Sequence, residues 1–292
     1  MTFRCILMTC ALLIPQLHGS AEEKEPVEIS AAVKDGELRL HTVRSPYQAG
    51  STKLTVLLPS GFDRTRRYRV LYVLPVEALD GKRWGDSLKA IRKDGLQNKY
   101  DLICVAPTFS HLPWYADHPR NPRIRQESYL LRVVLPFIEK TYPVVPDRAG
   151  RLLVGFSKSG WGAFTLLLRN PEVFEAAAAF DAPLALDRAG PYGSGPIFGS
   201  QENFEKYRFE TLLKRKPERL GAGKRLALIG AFVNFREQHE KARAWMSSRK
   251  IQHHWHEGQA WKHAWGSGWL PAAVGLIAGD GAEHGKNGKS SR

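Results

Sequence analysis

Cysteine is scarce in this chain. Of 292 residues only three are cysteine. Cys5 and Cys10 sit in one N-terminal apolar run, and Cys104 stands alone in the apolar stretch "DLICVAP". A single thiol cannot close an intrachain disulfide, so the body of the chain must stand on a hydrophobic core. A lone cysteine in such a run reads as packing rather than as a nucleophile. Long hydrophobic runs are missing as well. The apolar run from Cys5 to Leu17 falls short of the roughly 20 residues that span a bilayer, which argues against stable membrane insertion. Acidic residues are in deficit, 29 against 43 Lys and Arg, for a net charge of +14. The basic residues are scattered, as in "RTRRYR", "KRKPER" and "SSRK". No basic helix or aromatic-interleaved RNA motif gathers them, so the expectation is a cationic soluble surface and no nucleic-acid partner. Phosphate-loop, HExxH and paired-cysteine spacings are also absent, and neither a metal nor a cofactor is expected.

What is present begins with the leader. One Arg precedes the apolar run, and Gly19 and Ala21 follow it at signal-peptidase spacing. Residues 1–21 therefore read as a secretory signal peptide, with an exported product, periplasmic or extracellular. Residues 22–278 read as one domain, and the Gly- and charge-rich residues 279–292 as a disordered tail. Within the domain, "KLTVLLPSGF", "YRVLYVLPV", "DLICVAPTF", "GRLLVGF", "EAAAAFDAPL", "RLALIGAF" and "IQHHWHE" read as strands. Most of them are apolar throughout, as strands covered on both faces are. Helical spacing appears in "WGDSLKAIRKDGLQNKY", in "IRQESYLLRVVLPFIEKTY" with Pro136 as a candidate kink, in "GWGAFTLLLRN", in "REQHEKARAWMSSR" and in "SGWLPAAVGLIAG". Strands alternating with helices predict an α/β fold: a mostly parallel sheet with helices on both faces. Residues 185–224 break the rhythm with a Gly/Pro-rich loop and a polar helix, "NFEKYRFETLLKRK", and read as an insertion near the site. Ligands in such sheets bind beyond the carboxyl ends of the strands, where Ser157, Asp181 and the segment from Val76 are expected.

The stretch "RLLVGFSKSGWGAF" carries two serines in a strand-to-helix turn. A nucleophile on such a turn needs small neighbours two residues away on each side. Ser157 has Gly155 and Ser159, whereas Ser159 has Ser157 and Trp161, and an indole does not fit there. Ser157 is the candidate nucleophile. The chain resembles the "Putative esterase" family of α/β hydrolases, which includes S-formylglutathione hydrolase, enterochelin esterase, feruloyl esterase and antigen 85. The resemblance rests on "KLTVLLPSGFDRTRRYRVLYVLP", "QESYLLRVVLPFIEKTYPV", "GFSKSGWGAFTLLLRNPEVFEAAAAF" and "HAWGSGWL", in family order. It implies an α/β-hydrolase fold and serine ester hydrolysis.

The family places its base in a loop after the last strand. "IQHHWHEGQAWKHAW" offers His253, His254, His256 and His263, and the "His-Ala-Trp" at His263 matches the family's His-x-Trp. Metal binding by the first three is disfavoured, because alternate strand residues face opposite sides. Where the family carries its acid this chain has Asn234. Two carboxylates are left for the role: Asp181, at the end of the preceding strand, and Glu237, in the following helix, with Asp181 narrowly favoured. An oxyanion hole needs two backbone N–H groups. Lys158 offers one, and Val76 or Glu77 the other, since Pro75 has none and relatives carry His-Gly where this chain reads "PVEA". Trp114, Tyr115 and Trp161 are candidate substrate-binding rings, set against simple packing of the loop core. The reading is a secreted serine esterase with a small-molecule or carbohydrate-linked ester as substrate. Its rivals are acyl transfer by the same triad and a hydrolase-like binding protein that has lost turnover.

Overall fold

A computed structural model describes residues 26–215, 217–230 and 234–279. The leader and almost all of the Gly-rich tail lie outside the described residues. Ten strands form one mixed sheet: β1 (Glu28–Ile29), β2 (Val33–Asp35), β3 (Leu38–Arg44), β4 (Ser51–Leu57), β5 (Arg69–Val73), β6 (Leu102–Pro107), β7 (Arg151–Phe156), β8 (Ala176–Phe180), β9 (Leu226–Ile229) and β10 (His253–His256). Their spatial order is β1-β3-β4-β6-β5-β7-β8-β9-β10, with β2 paired to β3. From β6 to β10 every pairing is parallel, and β4 joins β6 antiparallel.

The parallel strands β5 to β9 are buried on both faces, and their pleat divides one apolar run between two cores. In β5, Val70 and Tyr72 face one core while Leu71 and Val73 face the other. Each fully buried Val or Leu contributes roughly 1.5–3 kcal/mol. Helices α1 (Ser87–Lys93), α2 (Lys158–Arg169), α3 (Arg236–Ser248) and α4 (Leu270–Ala278) cover the sheet, together with the contiguous helical segments Gln126–Tyr129, Leu130–Val134 and Leu135–Thr141. Residues of α1 and α4 belong to one core, those of α2 and α3 to the other.

The strand "AAAAF" has a sequence that equally suits a helix. It is a strand because β7 and β9 pair with it on both sides, and its side chains stay small because α2 lies close. A methyl group on Gly160 would sit 2.9 Å from Ala182 Cβ and 3.3 Å from Ala179 Cβ. Tertiary packing here overrides local propensity.

Two expectations need correction. Strands β1 to β3 precede the first strand expected, although "LRLHTVR" carries the alternation of a half-buried strand. The polar helix expected in the insertion is two short helices, Gln201–Glu205 and Phe209–Leu213. Phe204 and Phe209 are both fully buried, and at five residues apart they would point to different sides of one straight helix. Pro136, the candidate kink, directly follows a change of helix type. A wide π-turn at Leu130–Val134 precedes it, and Leu135–Thr141 continues. Such a turn shifts the hydrogen-bond register just where proline lacks its donor.

Candidate active site

Strand β7 ends at Phe156, and Ser157 stands at the head of α2 with φ 53° and ψ −133°. This positive-φ conformation costs a non-glycine residue of order 1–3 kcal/mol and persists only where the surroundings impose it. Gly155 makes the close turn possible, because a Cβ there would lie 2.4 Å from Ser159 O. Ser159 closes the turn from inside. Its buried Oγ accepts from Phe156 N at 3.0 Å and donates to Phe156 O at 2.9 Å. Ser157 is 8% exposed and Ser159 fully buried, so only the first can meet a substrate.

The next strand ends in a second strained residue. Asp181 follows β8 with φ 39°. The two turns are joined directly, since Ser157 N donates to Phe180 O at 3.0 Å and to Asp181 O at 3.1 Å. The Asp181 side chain is wholly buried and meets His263, whose Nδ1 lies 2.6 Å from Oδ2. Asn234 Nδ2 donates to the same oxygen at 3.0 Å. Oδ1 accepts from Asn234 N at 3.2 Å and Phe235 N at 2.9 Å. Burial works against the charge, yet the bond and charge of His263 and these N–H donors outweigh it. The carboxyl is held below its ordinary range. Asn234 thus stands where the sequence left a gap for the acid and serves instead as a donor to Asp181. Glu237 lies exposed in the first turn of α3.

The imidazole of His263 is walled by aromatic rings. Phe156 meets it edge-on at 4.9 Å between centroids and Trp84 at 5.0 Å, with Phe235 at 6.2 Å. Tyr192 of the insertion is 52% exposed and packs on Phe235 at 5.3 Å. Arg83 lies over the Trp84 ring at 4.9 Å. The other histidines are engaged elsewhere: His253 Nδ1 lies 2.8 Å from Ile251 O, and His256 Nδ1 accepts from Gly258 N at 2.9 Å. Among the described residues, no group of three or more His, Cys, Asp or Glu is placed to hold a metal ion. Cys104 is buried in β6, where burial pushes its thiol pKa far up.

Lys158 opens α2, and its N–H, like those of Val76 and Glu77, finds no hydrogen-bond acceptor among the described residues. Such free donors at a helix start and on a facing loop can take a developing negative charge. Burial lowers the Lys158 ammonium pKa, partly offset by Glu77 and reinforced by Arg83. A cavity of about 500 Å³ lies behind the loop, lined by Val76, Glu77, Leu88 and Trp265 among others, but neither Ser157 nor His263 lines it.

The three candidate substrate rings need correction in one respect. Trp114, Tyr115 and Trp161 are all fully buried and present no open face. Trp114 and Trp161 pack edge-to-face at 5.4 Å. Gln126 fixes their loop by accepting from Trp114 N and Tyr115 N at 2.7 and 2.9 Å. The Tyr115 hydroxyl donates to Pro75 O at 2.5 Å, which ties down the loop carrying Val76 and Glu77. Replacing Tyr115 with Phe should leave the fold intact, free that loop and lower kcat about tenfold, a small fraction of what losing an oxyanion donor outright costs. Steady-state kinetics on an aryl acetate checks this.

Two further residues escaped the sequence reading. Phe235 sits in a loop with no periodic signal. His239 did leave one: with Ala242 and Met246 it occupies the buried stripe of α3, at helical spacing that marks an inward face.

Similar proteins share this arrangement of strands. The chain is 28% identical over 142 residues to Esterase Rv1288 of Mycobacterium tuberculosis, a match covering 46% of this chain and 30% of that protein. It therefore spans under a third of the length of that curated relative. An S-formylglutathione hydrolase from Agrobacterium tumefaciens superposes with a TM-score of 0.65 at 16% identity, covering 86% of this chain and 98% of that one. The fluorophosphonate-binding serine hydrolase F of Staphylococcus aureus gives 0.65 at 16% identity, covering 87% and 99%. At such identities the likeness is one of fold, and the fold is that of the α/β hydrolases. The family model described as "Putative esterase" matches residues 45–271, most of the chain, and the chain belongs to that esterase family.

Proposed function

We propose that this chain is a serine esterase working through Ser157, His263 and Asp181. The observation that carries the reading is the junction of two strained turns. Ser157 shares its N–H between Phe180 O and Asp181 O, while the Asp181 carboxylate receives His263 at 2.6 Å. In this reading Ser157 Oγ attacks the ester carbonyl and passes its proton to His263 Nε2. Asp181 holds the proton on Nδ1 and stabilises the imidazolium. The N–H of Lys158, with that of Val76 or Glu77, takes the charge on the carbonyl oxygen. The imidazolium returns a proton to the departing alcohol, and water then releases the acid from the acyl-enzyme by the same steps. Asn234, as a donor to Asp181, is accounted for within a working site and lends no support to a non-catalytic one. The half-buried Trp84 beside His263 and the exposed Tyr192 packed on Phe235 suit an ester with an aromatic or sugar ring.

The leader places this activity outside the cytoplasm in our reading. The test is a panel of short-chain aryl and sugar esters, run with and without a sugar or simple alcohol as acceptor. Hydrolysis should dominate in both. Acyl transfer as the main outcome would make the rival reading the right one, and no turnover on any ester would remove the proposal. N-terminal sequencing of the enzyme recovered outside the cytoplasm should begin near Glu22, and an intact leader on a cytosolic protein would contradict export.

A further inference from the structure

His239 is fully buried on the inner stripe of α3, and the reaction as proposed does not use it. Its Nε2 accepts the N–H of Ala182 at 2.8 Å. That fixes the tautomer, so the hydrogen sits on Nδ1, which has no partner among the described residues. A buried N–H without an acceptor is unfavourable. A leucine or methionine on this stripe would avoid it, so the imidazole must offer something an apolar side chain does not. It offers an acceptor. The N–H it accepts belongs to the residue after Asp181, beyond the last paired residues of β8 and β9, Phe180 and Ile229. Among the described residues no strand partner reaches it there.

The turn so held is the one on which the site depends. Asp181 has φ 39°, a conformation the surroundings must impose. The segment Phe180–Asp181–Ala182 is gripped from two sides. Ser157 N donates to the carbonyls of Phe180 and Asp181, and His239 takes the following N–H. Helix α2 closes the remaining side, where Gly160 leaves room for Ala182.

Resting on the proposed function, we infer that His239 is a positioning residue: a neutral buried imidazole that fixes the Asp181 turn, so that the carboxylate meets His263 and the acid and nucleophile turns keep their register. Burial lowers the His239 pKa to about 4 against the opposing charge of Asp181. The ring therefore remains a neutral acceptor at neutral pH.

Two variants separate positioning from mere packing. His239→Phe keeps a flat ring and loses the acceptor, while His239→Gln keeps an oxygen able to reach the Ala182 N–H. Each is checked for fold by circular dichroism. Each is then measured for kcat and KM on an aryl acetate, and for the low-field proton resonance of the His263 Nδ1–H. His239→Phe should lower kcat on the order of a hundredfold, the cost of roughly an ångström of misplacement, with KM unchanged. The resonance should vanish, because the carboxylate no longer meets the Nδ1–H. His239→Gln should keep the resonance and most of kcat. A folded His239→Phe with wild-type kcat and resonance overturns the inference, and so does a folded His239→Gln as impaired as His239→Phe. If His239→Phe does not fold, His239→Gln decides by the same criteria. If neither folds, the residue serves global stability and the inference is wrong. A wild-type protein without esterase activity would sink the proposed function instead, and the resonance in the variants would still decide the role of His239.

Discussion

Ser157→Ala is expected to lower kcat for ester hydrolysis on the order of a million-fold while leaving the fold unchanged, the cost of removing such a serine from a triad. The side chain is small, 8% of the residue is exposed, and its Oγ makes no hydrogen bond among the described residues on which the turn depends. The backbone holds the turn instead. Ser157 N binds the carbonyls of Phe180 and Asp181, and Ser157 O accepts from Trp161 N at 3.1 Å. Alanine keeps all three. Ser159→Ala gives the contrast. It removes both bonds between Ser159 Oγ and the backbone of Phe156 and leaves a buried N–H unpaired, which costs about 1–3 kcal/mol of stability. Because Ser159 never meets the substrate, its kcat should stay within about tenfold of wild type, a loss much smaller than that of a triad member. Kinetics on an aryl acetate and thermal melts, measured together, separate the two roles. A dead Ser159→Ala beside an active Ser157→Ala would put the nucleophile in the other register.

Asp181→Asn should cost about 10⁴-fold in kcat, by analogy with the same change in a protease triad. The carboxylate accepts four N–H donors, two on each oxygen. An asparagine has one oxygen, so its NH₂ must face two donors whichever way it turns. Turned toward His263, it forces the imidazole proton onto Nε2, where it blocks acceptance from Ser157. Turned the other way, it opposes the backbone N–H groups of Asn234 and Phe235 and loosens the turn. Glu237→Gln, by contrast, should change kcat by less than about tenfold, since an exposed first-turn carboxylate contributes only to the surface of α3. A crippled Glu237→Gln with a near-normal Asp181→Asn would move the acid to the helix. If both stayed near wild type, no triad would be at work.

Much of this was legible in the sequence, and for physical reasons. The parallel strands announce themselves because burial on both faces demands unbroken apolar runs. The choice of Ser157 over Ser159 follows from the size of the residues two positions away, and Gly155 meets Ser159 backbone at 2.4 Å for a Cβ. Asp181 could be favoured only by its place at a strand end. That Asn234 reaches its carboxylate depends on how β8 and β9 sit side by side, which no local pattern records. The same holds for the rings. Trp114 and Tyr115 follow a strand end, as rim residues do, yet Gln126, more than ten positions away, fixes their backbone inside. His239 lay on an apolar helical stripe, where the spacing marks burial but not the Ala182 N–H it would face.

The central claim is that Ser157 is the residue that forms the acyl-enzyme. The most direct measurement is to react the protein with a fluorophosphonate, digest it and locate the adduct by mass spectrometry. The account predicts one adduct, on Ser157 in the peptide "LLVGFSK" or its neighbour, formed in the wild type and in Ser159→Ala and absent from Ser157→Ala. An adduct on Ser159, or undiminished labelling of Ser157→Ala, would contradict it.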